Sequence, residues 1–292
     1  MRNIGLGLGF GGLLLAAGFP LAGAAPSKPV AEWNFKFQDN LIWIEVGVDG
    51  SRPLRFILDS ASTHHVISTD AAEKLGLSTG ADTVLVRRTD AVQEQSTTAP
   101  VELKVGGAFA LKNVSLLVVP LNGIDGIIGL PVFERYLVEI DYAGSKVRLF
   151  DPNGPRSDRG ESVKLQTRDG LCGIRLADST GNSGVFVLDT GCSSGLLLSR
   201  HASSLFEFCR AYPPEAHVLY AGGDIPGRRY RQTSWQLGSQ TVPGVETVVC
   251  SKATDGLLAD SQWAGLVGNG FLAKFKVTFD FPGHRMFLEP AK

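Results

Sequence analysis

The chain has 292 residues, of which 43% are hydrophobic and 20% charged; this globular composition excludes a disordered polymer and suits two domains of ordinary size. Its 28 basic and 29 acidic side chains leave a net charge of -1, which implies no basic face for nucleic acid. Four cysteines are too few for a disulfide-stapled miniature fold, while 35 glycines without a helical repeat indicate many tight turns and therefore β structure.

The chain opens with one positive charge at Arg2, then an uncharged apolar run from Ile4 to Phe19, then Pro20 and an A-x-A site at Ala22-Gly23-Ala24. This pattern predicts a secretory signal peptide over 1–24, cut after Ala24 and bacterial in style. A retained membrane anchor is the other reading of the same run. With cleavage the expected location is the periplasm or the medium, with no membrane contact afterwards. Only about six residues then precede the first expected strand, too few for a long inhibitory prosegment.

Next, Trp43 to Val48, the turn Asp49-Gly50-Ser51 and Leu54 to Leu58 read as a β-hairpin. Asp70 to Leu75 reads as a short helix stopped by Gly76. Val101 to Val105 and Val114 to Val119 read as strands, and the segment around Thr89 to Thr98 as a polar stretch. Phe133 to Tyr136 suits one helical turn, and Leu137 to Tyr142 with Lys146 to Phe150 a closing hairpin. Pro152 to Gly160 reads as a linker, and Val277 to Phe281 with Arg285 to Leu288 as a second closing hairpin.

The two halves are copies. Phe56-Ile57-Leu58-Asp59-Ser60-Ala61-Ser62 recurs 130 positions later as Phe186-Val187-Leu188-Asp189-Thr190-Gly191-Cys192. Gly126-Ile127-Ile128-Gly129 recurs 139 positions later as Gly265-Leu266-Val267-Gly268, and Ile140-Asp141-Tyr142 as Phe279-Asp280-Phe281 at the same offset. Ordered matches with small drifts signify a duplication with loop insertions. The expected organisation is a mainly β chain with lobes at 31–152 and 161–290, joined by a linker at 153–160.

Asp59 and Asp189 each end an apolar strand and enter a small-residue turn. Alone, either suits a turn-forming Asx residue. As equivalents in two copies packed about a pseudo-twofold axis, the two carboxylates can meet.

At these residues the sequence resembles the pepsin and retropepsin superfamily of aspartic proteases, over nearly all of 31–290. The signature is Leu58-Asp59-Ser60-Ala61 with Ile127-Ile128-Gly129, and Leu188-Asp189-Thr190-Gly191 with Leu266-Val267-Gly268. The resemblance implies two retropepsin-like β-barrel lobes about a pseudo-twofold axis, with short helices. It implies a catalytic dyad of Asp59 and Asp189, hydroxyls of Ser60 and Thr190 in crossed hydrogen bonds beneath it, and Ala61 and Gly191 in the supporting turns. The implied activity is aspartic endopeptidase, with a peptide or protein substrate, no metal and no other cofactor. A single chain supplies both halves, so a monomer is expected. The alternative is a peptide-binding protein of weak or no activity on the same fold.

Ala61 departs from the usual Gly, which at a tight turn permits positive φ; with negative φ, Ala fits. Tyr220, Gly222 and Gly223 belong to a Gly-rich stretch that resembles a flap over the substrate. Gly181-Asn182-Ser183-Gly184 imitates a serine-protease nucleophile turn, and His64 and His65 complete a triad on paper. The duplication argues against it, because the segment overlays the plain hairpin before Asp59. Cys172, Cys192, Cys209 and Cys250 all lie in the second lobe. They allow three disulfide connectivities, or a buried free thiol at Cys192.

Overall fold

The structure, a computed structural model, describes residues 28–87, 92–154, 160–211, 214–220, 223–231, 234–251 and 256–291. The signal peptide expected at 1–24, residue Gly222 and most of the linker lie outside these residues.

Two ten-stranded sheets repeat one strand order. In the first, neighbouring strands run Thr79–Arg87, Val92–Thr98, Leu117–Val119, Val66–Ser68, Gly126–Ile128, Leu54–Leu58, Leu41–Val48, Val101–Val105 and Phe109–Val114, with Lys36–Gln38 attached to Leu41–Val48. In the second, they run Glu215–Tyr220, Gly223–Arg231, Glu246–Cys250, Leu196–Leu198, Gly265–Val267, Ser183–Leu188, Leu171–Asp178, Ser234–Leu237 and Gln240–Pro243, with Gln166–Arg168 attached to Leu171–Asp178. Both sheets curl into half-barrels, and the class is mainly β as expected.

The sequence explains which strands lie where. Val101, Leu103 and Val105 are buried while Glu102 and Lys104 face water, the period-two pattern of a half-covered sheet. Leu54–Leu58 ends in Phe56-Ile57-Leu58, all fully buried, and pairs in parallel with Gly126–Ile128. Its copy, Phe186-Val187-Leu188, pairs in parallel with Gly265–Val267. Continuous apolar runs of this kind suit strands covered on both faces. They carry the chain to Asp59 and Asp189 through the middle of each lobe.

The first-lobe helix spans Thr69–Leu75; the Ser68 hydroxyl accepts from Ala71 N–H at its start, and Gly76 closes it in the left-handed conformation with φ 63°. The second lobe has 3-10 turns at His201–Leu205 and Glu207–Arg210 in its place.

A third sheet of six strands joins the copies, in the order Ala31–Asn34, Lys146–Phe150, Leu137–Asp141, Phe275–Asp280, Arg285–Pro290, Glu161–Lys164. Its central pair is antiparallel and matches Glu139 with Thr278.

Two expectations need correction. Val114 to Val119 is not one strand. Phe109–Val114 ends beside Val101–Val105, and the chain then crosses to pair Leu117–Val119 in parallel with Val66–Ser68. The crossing is pinned at Leu116, whose N–H donates to the Thr98 hydroxyl and whose carbonyl accepts from Thr98 N–H. The polar stretch is also structured, because Val92–Thr98 pairs with Thr79–Arg87 as a hairpin. Val92–Thr98, the inner strand of that hairpin, is exposed on both faces for its first three residues, so it carries no apolar alternation.

Candidate active site

Each half-barrel presents its aspartate by the same backbone bond. Asp59 N–H donates to the Ile128 carbonyl at 3.0 Å, and Asp189 N–H to the Val267 carbonyl at 2.9 Å. Each carboxylate also organises its own turn. Asp59 Oδ1 accepts from the N–H groups of Ala61 and Ser62, at 2.8 and 3.0 Å. Asp189 Oδ1 accepts from Gly191 N–H at 2.9 Å. The Asx-turn role and the meeting of the two copies are therefore both realised. Both side chains are buried, the Asp59 carboxylate lies against Gly191 in the turn that carries Asp189, and each carboxyl shifts the other's titration.

Beneath them the lobes exchange hydroxyls. Ser60 N–H donates to Thr190 Oγ1 at 2.9 Å, and Thr190 N–H to Ser60 Oγ at 3.1 Å. Ser60 Oγ donates to the Leu188 carbonyl at 2.8 Å, and Thr190 Oγ1 to the Leu58 carbonyl at 2.9 Å. Every polar atom of these two buried side chains is used across the interface, so the position of one aspartate is tied to that of the other.

Ala61 and Gly191 differ in a way the turn argument does not capture. Neither residue has positive φ, so Ala61 is unstrained. The reason for glycine at 191 is space. A Cβ there would overlap the Asp59 carboxylate, with Cγ only 2.5 Å away.

Burial dominates the electrostatics. It raises both carboxyls above their ordinary range, and Asp189 well above it. For Asp189 the charge of Asp59 adds to burial; for Asp59 the N–H groups of Ala61 and Ser62 oppose it. Burial also pushes the nearby Cys192 thiol up to about 12, so it stays neutral, 3.1 Å from the Ser194 hydroxyl.

The remaining candidates fall away from the dyad. His65 is buried and pushed down to about 4 by burial, with the His64 charge a smaller cause; its Nδ1 accepts from Gly129 N–H at 3.0 Å. His64 Nδ1 meets the Thr63 hydroxyl. Ser183 Oγ accepts from Arg175, and among the described residues no histidine bonds to its hydroxyl. All four cysteines are free thiols, which settles Cys192 as a buried thiol and removes the disulfide reading.

Tyr220 pairs with Gly223 across the Glu215–Tyr220 and Gly223–Arg231 hairpin, and Gly222 lies outside the described residues. The first-lobe hairpin Thr79–Arg87 with Val92–Thr98 occupies the equivalent place in its sheet. A cavity of about 220 Å³ is lined by Asp39 and Asn40 from the first lobe and by Ser194, His217 and Arg229 from the second.

One residue escaped the sequence reading. Asn269 follows Gly268 and is fully buried, and its amide bonds to both lobes. The signal was available: the repeat places Leu130 at this position in the first copy.

Residues 44–132, which include Asp59 and its downstream Ile127-Ile128-Gly129, match the family described as Aspartyl protease. The first lobe is thus similar to the aspartyl protease family over these residues. The aspartyl protease fold extends across both lobes: the chain is similar to the crystal structure of aspartic proteinase from Irpex lacteus, with a TM-score of 0.59 over 89% of this chain and 97% of that one. Sequence identity there is 14%, so the likeness is one of fold. No curated protein sequence matches the chain.

Proposed function

We propose that the protein is an aspartic endopeptidase with Asp59 and Asp189 as its catalytic pair. The observation that carries this is the meeting of two buried carboxyls, one from each lobe, on turns tied together by the Ser60–Thr190 exchange. Two such groups share one proton, because ionising both at close range is unfavourable. The ionised oxygen takes a proton from a water held between the carboxyls, and the protonated one donates to the scissile carbonyl oxygen. Attack gives a tetrahedral carbon, and return of a proton to the amide nitrogen releases the two fragments. The pair titrates as a unit, so neither residue has a private pKa.

Ser60 and Thr190 hold the carboxyls together, and Ala61 and Gly191 shape the turns around them. The hairpins at Thr79–Arg87 with Val92–Thr98 and at Glu215–Tyr220 with Gly223–Arg231 are the candidate flaps, and the Gly-rich stretch of Tyr220, Gly222 and Gly223 is the candidate substrate contact of the second. The substrate is a peptide or protein. The apolar run and A-x-A site support export with the leader removed, and the duplication supports a monomer.

A peptide-library digest of purified wild type, Asp59→Asn and Asp189→Asn, with and without pepstatin, tests the reading. Cleavage at acidic pH that both replacements and pepstatin abolish is expected. Cleavage that survives Asp189→Asn, or none from a folded wild type that still binds peptide, would move the assignment to a binding protein.

A further inference from the structure

We infer that Asn269 is a positioning residue that fixes the separation of Asp59 and Asp189 by locking the Thr190 main chain to the first lobe. This rests on the proposed role of the pair. Asn269 uses its whole amide. Nδ2 donates to the Thr190 carbonyl and to the Asn40 carbonyl, each at 2.7 Å. Oδ1 accepts from the Tyr142 hydroxyl at 2.8 Å. Its backbone N–H donates to the Cys192 carbonyl at 3.0 Å. Thr190 and Cys192 belong to the turn that carries Asp189, whereas Asn40 and Tyr142 belong to the first lobe.

A planar amide with both hydrogens and its oxygen engaged has no alternative rotamer that keeps these bonds. Tyr142 is itself held by edge contacts with Phe35 and Phe37, at centroid distances of 6.2 and 5.3 Å. The hydroxyl exchange between Ser60 and Thr190 treats the two lobes alike. The Asn269 clamp does not, since Leu130 at the equivalent place has no amide. Its effect falls on the Asp189 side, one residue beyond the carboxyl. A buried amide needs partners in any protein; here the partners chosen span the interface at the pair itself, and the first copy has Leu130 directly before its helix Pro131–Arg135 where the second has Asn269 opening Asn269–Leu272.

The test uses Asn269→Leu, the residue of the first copy, and Tyr142→Phe, which removes only the hydroxyl. Aspartate carboxyls labelled with carbon-13 are titrated in the full chain, and kcat and KM are measured on a cleaved peptide. In Asn269→Leu the two apparent pKa values of the pair should draw closer by about one unit, since weaker contact splits them less. kcat should fall roughly 10- to 100-fold with KM within about twofold, the size of effect expected from a displacement near 1 Å. Tyr142→Phe should move both readouts the same way by less, and decides the matter alone if Asn269→Leu does not fold. Variants that lose thermal stability while the pKa separation and kcat stay at wild-type values would overturn the inference and leave Asn269 as a core amide. A wild type without peptidase activity would sink the endopeptidase reading, while the titration would still decide the positioning.

Discussion

Glu139 faces Thr278 across the strands that join the lobes, and the two are each other's counterparts, 139 positions apart. A residue pairs with its own copy only where the pseudo-twofold axis passes. The exchange between Ser60 and Thr190, 130 positions apart, marks the same relation at the aspartates. One chain thus closes its own symmetry, and the active species should sediment as a monomer. Activity confined to a dimer fraction in analytical ultracentrifugation would contradict this.

Glu139 is buried at the axis, with Arg148 Nη1 2.7 Å from Oε1 and Lys276 Nζ 3.9 Å from Oε2. Arg148 also binds the more exposed Glu32 at 2.6 Å. Arg148→Met should destabilise the protein by roughly 2–4 kcal/mol, because it takes from a buried carboxylate the guanidinium that stands 2.7 Å away. Urea denaturation measures it. Lys112→Met, which loses an exposed contact of 3.8 Å to Glu102, should change stability by less than about 1 kcal/mol.

Thr190→Val keeps the shape and removes the hydroxyl. The Leu58 carbonyl and Ser60 N–H then lose their partners. A loss of about 2–6 kcal/mol is expected, at about 1–3 kcal/mol for each of the two buried groups left unpaired. Combined with Ser60→Ala in a double-mutant cycle, the losses should be non-additive by at least about 0.5 kcal/mol. Strict additivity would mean that the lobes do not depend on each other at this point.

The two turns should answer oppositely to one methyl group. Gly191→Ala drives a Cβ into the Asp59 carboxylate and should reduce kcat by about 100-fold or more. Ala61→Gly should be neutral or mildly activating, because Ala61 already sits at negative φ. Steady-state kinetics of the two variants side by side provides the check.

Stability should depend on pH through the pair. Both carboxyls are raised above their ordinary value of 3.8 by burial, Asp189 further by Asp59. In the folded state they hold protons more tightly than in the unfolded chain. Their favourable contribution is complete below about pH 4 and is lost as the pH rises through the folded values. Asp189→Asn removes the second ionisation, so its melting temperature should fall less than that of wild type between acidic and neutral pH. Parallel curves would show that burial of the pair does not disturb its titration.

Much of this was legible because duplication writes the same physics twice. Phe56-Ile57-Leu58-Asp59 and Phe186-Val187-Leu188-Asp189 each give a doubly covered strand ending in a carboxyl, and their offset predicts their meeting. What the sequence concealed has local causes. The hairpin strand Val92–Thr98 is held by backbone pairing over an exposed stretch, so nothing apolar marks it. The reason for glycine at 191 lies in the other lobe, where no neighbour in sequence points. Asn269 is hidden because the copies match through Gly129 and Gly268 and diverge at Leu130 and Asn269, where the clamp begins.

The hydroxyl exchange also fixes what hydrogen exchange with deuterium reads. The amides of Asp59 and Asp189 are held inside their own lobes, by Ile128 and Val267. Those of Ser60 and Thr190 are held only by the opposite lobe's hydroxyl. Neighbouring amides in one turn therefore report two different openings, the unfolding of a lobe and the parting of the lobes. If the second pair exchanges faster, the molecule breathes along its axis with both barrels intact, and a peptide that bridges the aspartates should slow that pair and leave the first unchanged.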